Sequence, residues 1–358
     1  MHCSLNFSYT QYMFTLSQAS YDTKEILKWG GLFIAGAVVI ILLLRFLLFV
    51  KEVIFPTPPP KPTVAFGKLT PQVFPKNATE QTLVYSLNTL TGTLPKLPDQ
   101  AKVFKIQAYT PDLLGLSKAK EIVTSAGFTQ GPNKISDTLF EWSDPNTANL
   151  SRKIKINIIN YDFNITSDYL NNPAITSGQG LPDQNKAIND AQDLLQSLNS
   201  LPSDIDQTKT QANLFSLKNG SLASATSLSN AQVIRVVFHQ QDVDKFPIYY
   251  EKPDSSNINV LIGAGDKILE AGYIHQAITD EFSTYPLKTA QQIYDELKQG
   301  KGYIASYNGS ANVSITNVFL AYYIGSQPQE YLMPVLVFEG NNNFAAYVPA
   351  ITDGWINK

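Results

Sequence analysis

From Gly30 to Val50 the chain reads Gly-Gly-Leu-Phe-Ile-Ala-Gly-Ala-Val-Val-Ile-Ile-Leu-Leu-Leu-Arg-Phe-Leu-Leu-Phe-Val, apolar on every side apart from Arg45. A soluble core helix keeps one wet face, and this stretch has none. About 20 such residues in a helix cross the hydrocarbon layer of a bilayer, so the pattern predicts a membrane-spanning anchor at 30–50. A cleavable leader would need an apolar region of roughly 7–15 residues followed by small residues at the cut. Here Lys51-Glu-Val-Ile-Phe follows instead. Arg45 stands close enough to Lys51 for its long side chain to snorkel toward the nearer interface.

Beyond the anchor the periodicity changes character. Val103–Tyr109 alternates as a half-buried strand does, and Leu116, Ala119, Ile122, Val123 and Ala126 recur at helical spacing, with Ser117 near the start and Gly127 to close the end. Strand patterns follow at Thr138–Trp142 and Lys153–Tyr161, where Ile154, Ile156 and Ile158 oppose Lys153, Lys155 and Asn157. A second helix is expected over Gln184–Leu198, with strands at Val233–Phe238, Phe246–Tyr250 and Ile258–Ile262 after it. The third run has Ile268–His275, a helix over Thr289–Gln299 stopped by Gly300, and strands Tyr303–Tyr307, Ser314–Ile324, Leu332–Glu339 and Phe344–Val348.

Helix followed by meander, repeated, predicts an α+β fold in which antiparallel sheets are each covered by short helices. The expected organisation is a short cytoplasmic segment 1–29, the anchor 30–50, a Pro-rich stalk and extended lead-in 51–100, and three α+β units at 101–180, 181–265 and 266–358. In the stalk, Pro56-Thr-Pro-Pro-Pro-Lys-Pro62 should form polyproline II at about 3.1 Å per residue, a spacer of roughly 20 Å.

Composition agrees with a folded body. Hydrophobic residues make up 44% of the chain, with 18 Tyr and 19 Phe, too much apolar material for an unstructured tail. The net charge of −3 gives no basic face for nucleic acid. Cys3, the one cysteine, precedes the anchor, which rules out a disulfide scaffold, a cysteine nucleophile and cysteine-ligated zinc in the body. The count of Lys24 and Lys28 before the span against Arg45, Lys51 and Lys61 at its far end leans weakly toward a cytoplasmic body. A short leader, one early span and a rigid stalk read more strongly as a signal anchor, with the body outside the membrane.

Two stretches resemble the PepSY-type unit, a short amphipathic helix followed by a hairpin. They are Leu116-Ser-Lys-Ala-Lys-Glu-Ile-Val-Thr-Ser-Ala-Gly-Phe128 with the strand Phe140-Glu-Trp142, and Lys288-Thr-Ala-Gln-Gln-Ile-Tyr-Asp-Glu-Leu-Lys-Gln-Gly300. One anchor followed by such units over about residues 100–355 looks like the extracytoplasmic regulators of the YycH/YycI type, which sit beside a sensor kinase and restrain it. The resemblance implies a binding or regulatory role and carries no catalytic residues with it.

Candidate chemistry is sparse. His239-Gln-Gln-Asp242-Val-Asp244 places an imidazole and two carboxylates where a turn could gather them on a divalent cation, but the reading preferred is a polar turn leading into Phe246-Pro247. His275 lies among Ile274, Gln276, Ala277 and Ile278, as a structural histidine does. The pairs Asp280-Glu281 and Asp295-Glu296 are the carboxylates a glycoside hydrolase would need. Gly263-Ala-Gly265-Asp-Lys267 is expected to be a hairpin turn and not a phosphate loop, because no helix start follows it. No motif calls for a cofactor.

Tyr249, Tyr250, Tyr273, Tyr285, Tyr303, Tyr307, Tyr322, Tyr323, Tyr331 and Tyr347 crowd the last third. Such rings pack sheets, and they also serve contact surfaces. The expectation is therefore a non-enzymatic module with no catalytic or metal residues. It would touch the bilayer through 30–50 and engage a partner membrane protein or a cell-wall ligand. A surface hydrolase with acidic catalytic residues is the alternative.

Overall fold

The computed structural model describes residues 16–54, 60–145 and 150–357. Cys3 and the Phe55–Pro59 part of the stalk lie outside them. The chain divides into two units, Met1–Lys61 and Pro62–Lys358. The first contains α1 (Leu16–Ile54), within which Leu27–Val50, 24 residues, is long and apolar enough to cross a membrane. The apolar side chains of Leu32–Phe49 are exposed rather than packed into a core.

The second unit starts with β1 (Val84–Leu87), β2 (Gln100–Ile106), α2 (Gly115–Ser125), β3 (Gln130–Lys134), β4 (Leu139–Ser143), β5 (Arg152–Asn157) and β6 (Phe163–Ser167). It continues through the single turn α3 (Pro173–Thr176), α4 (Gln184–Ser197), β7 (Gln211–Lys218), β8 (Ser221–Ser224), β9 (Val233–Phe238), β10 (Ile248–Tyr249) and β11 (Ile258–Gly263). Then come β12 (Lys267–Tyr273), β13 (Ile278–Pro286), α5 (Ala290–Lys298), β14 (Tyr303–Ser306), β15 (Asn312–Tyr323), β16 (Tyr331–Gly340) and β17 (Phe344–Pro349).

These strands form two sheets, so the α+β class expected from the hydrophobic pattern is what the chain adopts. One sheet has nine strands in the order β3-β4-β5-β6-β12-β11-β9-β7-β8, antiparallel throughout. The other has eight, with the path β1-β15-β16-β17-β14; β2 bridges β13 and β16, and β10 pairs with β15. Only β1 and β10 run parallel to their neighbour, β15, among the described strands.

Hydrogen bonding groups the strands differently from the three successive units 101–180, 181–265 and 266–358. Strands from the first and second stretches, together with β12 from the third, share the nine-stranded sheet, while β2 from the first joins β13 and β16 in the other. The physical reason is that a hairpin-sized group cannot bury its own face, so pairing continues until each sheet has a covered side.

The helices supply that cover. α2 and α4 present Ala119, Val123, Ala187, Ala191 and Leu195 to Trp142, Ile154, Ile165, Val236 and Val260 of the nine-stranded sheet. α5 packs Ile293, Tyr294 and Leu297 on Leu336, Phe338 and Val348 of the other. Its start is a capping box, with Thr289 accepting from the Gln292 N–H and Gln292 reaching back to the Thr289 N–H. Gly127 and Gly300 close α2 and α5 with φ of 92° and 75°. α2 begins before Ser117, and its first turn is tied by the Asp112 carboxylate, which accepts from the Leu114 N–H at 2.9 Å.

Candidate functional site

The residues singled out in the sequence do not converge. His239 follows β9, is half-buried, and holds its Nδ1 3.2 Å from the Lys209 carbonyl with Tyr250 edge-on to the ring. Burial lowers its pKa. Asp242 pairs with Lys209, and Asp244 lies 2.7 Å from Lys102 Nζ. Between them and Phe246 the chain makes a tight turn in which Asp244 and Lys245 take φ of 50° and 70°. The three side chains are thus committed to different partners. Asp280 is exposed, Glu281 faces Lys105 at 3.5 Å, Asp295 pairs with Lys298 and Glu296 with Lys288. Gly263–Lys267 is the turn of the β11–β12 hairpin. Of the ten tyrosines, eight are buried, while Tyr249 and Tyr307 are half-buried.

His275 is different. It lies in the short link between β12 of one sheet and β13 of the other, and three distant segments close on it. Its Nε2 is 2.9 Å from Asp204 Oδ1 and 3.1 Å from Oδ2. Its backbone N–H donates to Asp162 Oδ1 at 3.2 Å, and the Tyr109 hydroxyl donates to its carbonyl at 3.4 Å. Gln240 Nε2 donates to Asp204 Oδ2 at 2.8 Å and to the Gln276 carbonyl at 3.2 Å. Gln276, buried, donates to the Gly325 and Gln327 carbonyls and accepts from the Gln329 N–H. The network therefore starts beside the nine-stranded sheet and ends in the loop after β15.

Its electrostatics follow from burial and the imidazole. Burial pushes the Asp162 carboxyl up to about 6, against the pull of the His275 N–H and ring. Burial acts the same way on Asp204, but the His275 hydrogen bond and charge, with Gln240, outweigh it and leave that carboxyl below its ordinary value. Tyr109 is raised, first by burial and then by the two carboxylates. His275 and Asp204 open on a cleft of about 300 Å³ lined also by Ser200, Pro202, Tyr273 and Ile278. A carboxylate that orients an imidazole can support general acid or base chemistry. The same contacts also make a half-buried clasp between two sheets.

Asp162, Asp204, Gln240, Gln276 and Tyr109 carry no sequence signal. They lie in loops or at strand ends, and Asp204 is 71 positions from His275 and Asp162 is 113. Larger clefts occur elsewhere. One of about 430 Å³ lies among Phe215, Arg235, Lys252, Asn259 and Tyr307. Another of about 410 Å³ lies among Lys288, Glu296, Met333, Pro349 and Ile356.

No family model matches the chain, and no curated protein sequence matches it. Among solved structures it is similar to an uncharacterized protein from Eubacterium rectale ATCC 33656, at 15% identity over 71% of this chain and 82% of that one, with a TM-score of 0.36. It is also similar to the Bacillus megaterium YpeB C-terminal domain, at 14% identity over 70% of this chain and 97% of the other, with a TM-score of 0.30. Likeness at these scores carries no argument about activity or partners.

Proposed function

We propose that this chain is a membrane-tethered, non-enzymatic binding or regulatory module whose folded unit faces away from the cytoplasm and engages a partner protein or a cell-envelope component. The observation that carries the reading is the apolar helix Leu27–Val50, with its exposed side chains, followed in the chain by a separate folded unit from Pro62 onward. Tethering raises the effective concentration of a binding module at the surface, so such a protein needs neither high affinity nor catalysis to act. The test is alkaline carbonate extraction of membranes together with a reporter fused after Lys358 that is active only outside the cytoplasm, followed by crosslinking in intact cells to identify what is captured. Retention in the membrane, reporter activity and a reproducible captured partner support the reading. A mature protein lacking residues 1–50 would replace the anchor with a processed leader, and activity of a cytoplasmic reporter alone would reverse the orientation.

The Asp204–His275 pair favours a second reading, a surface hydrolase, because it opens on a cleft. Asp204→Asn separates the two. Under the binding reading, partner capture persists at near wild-type level in the folded variant, whereas loss of the group that orients a catalytic imidazole costs on the order of a hundredfold or more in rate.

A further inference from the structure

Aromatic rings meet on the face of the eight-stranded sheet opposite the one that α5 covers. Tyr303 on β14, Tyr323 at the end of β15 and Tyr347 on β17 lie with centroids 5.7 Å apart for Tyr303 and Tyr347 and 6.0 Å apart for Tyr323 and Tyr347. Ala305, Ala321 and Ala345 share that face with the rings. Phe74 covers it. Its ring lies 5.2 Å from that of Tyr303, inclined by only 15°, and 4.7 Å from that of Tyr323.

The covering segment is unlike the rest of the fold. Residues 70–83 contain neither helix nor strand. Leu69 is anchored by bonds to Trp355 and Asn357, and Asn77 and Ala78 by bonds to Ile304. Between those anchors the segment is held to the sheet by Gln72, whose Nε2 donates to the Met333 carbonyl at 3.3 Å. The hydroxyls of Tyr323, whose ring Phe74 touches, and of the neighbouring Tyr347 are buried and, among the described residues, have no hydrogen-bond partner. Neighbouring phenols are satisfied, Tyr303 on the Glu251 carbonyl at 2.8 Å and Tyr249 on Glu339 at 2.9 Å. A buried hydroxyl without a partner is unfavourable, and two at one place mark a site arranged for something other than the closed state.

We propose that residues 70–76 form a displaceable strap over a carbohydrate site, in which a neutral sugar ring takes the place of Phe74 against Tyr303 and Tyr323 and its hydroxyls pair with the Tyr323 and Tyr347 phenols. A pyranose offers a flat apolar face to an aromatic ring and hydroxyls at its edge, which is what the stacked Phe74 and the unpaired phenols require. The Glu251 and Glu339 carboxylates stand near enough to add to the effect of burial in raising the Tyr323 and Tyr347 phenols, so the site disfavours an anion. A quaternary ammonium ion also suits an aromatic cage but would leave both hydroxyls unpaired. The site supplies a ligand class for the binding module proposed above and rests on that reading.

The test titrates the full-length protein, in a polyoxyethylene detergent that carries no sugar, with the tetrasaccharides of N-acetylglucosamine and of glucose and, separately, with tetramethylammonium. Phe74→Ala and Phe74→Leu remove the flat competitor and are expected to tighten binding of a tetrasaccharide about tenfold or more, with Leu covering the case in which Ala does not fold. Tyr323→Phe is expected to weaken it by about tenfold. Equal binding by all four proteins, no sugar binding in any of them, or binding of tetramethylammonium alone overturns the site. A neutral Tyr323→Phe, as ordered water on the phenols would give, does the same. Protein that resists carbonate extraction yet binds no sugar loses the site and keeps the anchor.

Discussion

At the scale of single residues, Asp162 sets a pH dependence that can be measured. Its folded pKa of about 6 lies above the ordinary carboxylate value, so the native state holds this proton more tightly than the unfolded chain does. Stability from this group is therefore fully present below about pH 4 and is lost as pH rises through about 6. His239 acts in the opposite sense, because burial lowers its pKa and protonation below its ordinary value opposes the fold. Comparison with Asp162→Asn isolates the first effect. The variant should gain on the wild type by about 1–3 kcal/mol between pH 4 and pH 7, read from urea midpoints at the two values. No gain would mean that the carboxylate is solvated in the native state. His275→Gln should cost about 1–3 kcal/mol at neutral pH, since the half-buried Asp204 carboxylate would lose the hydrogen-bond geometry that the imidazole gives it.

At the scale of elements, the helices were legible and several strands were not. α4 was expected over Gln184–Leu198 and is found at Gln184–Ser197, because Ala187, Ala191, Leu194 and Leu195 keep a 3.6-residue period on one buried face. Strand β9 has the bounds the sequence predicts, since Val233–Phe238 is β-branched apart from Arg235 and the closing Phe238. The sequence pattern predicts no strand at β3, β6, β7, β8 or β13. Gln130–Lys134 is exposed along its length, Gln211–Lys218 and Ser221–Ser224 mix polar with apolar residues and are largely half-exposed, and the first half of Ile278–Pro286 carries Asp280 and Glu281 outward. Such segments become strands because a neighbour offers hydrogen bonds, and for β13 that neighbour is remote in the chain. β6 did carry a readable alternation, Phe163 and Ile165 inward against Asn164 and Thr166, but it is short. Two substitutions test the helices. Thr289→Ala removes one side of the capping box of α5 and should cost about 1 kcal/mol. Leu195→Ala opens a cavity under α4 and should cost about 2–5 kcal/mol, both read by chemical unfolding.

At the scale of the whole molecule, residues 62–358 should unfold as one body although they contain two sheets. Each sheet holds its own tryptophan: Trp142 is buried in the nine-stranded sheet, and Trp355 packs edge-on to Tyr285 by the other. Single-tryptophan variants of that unit are expected to give the same thermal midpoint, and two separated midpoints would show that the clasp around His275 does not couple the sheets. What the amino-acid sequence determined by itself was local in origin: the apolar helix, the helix faces, the inward and outward alternation of the strong strands, and hence the α+β class. Each of those follows from residues within one or two turns or a few strand positions of one another. Tertiary structure alone decided which strands share a sheet, that Asp162 and Asp204 meet His275, and that Phe74 lies over Tyr303 and Tyr323. Those contacts join positions tens to hundreds of residues apart, and their geometry arises only when both sheets have buried a face and brought their edges and links together.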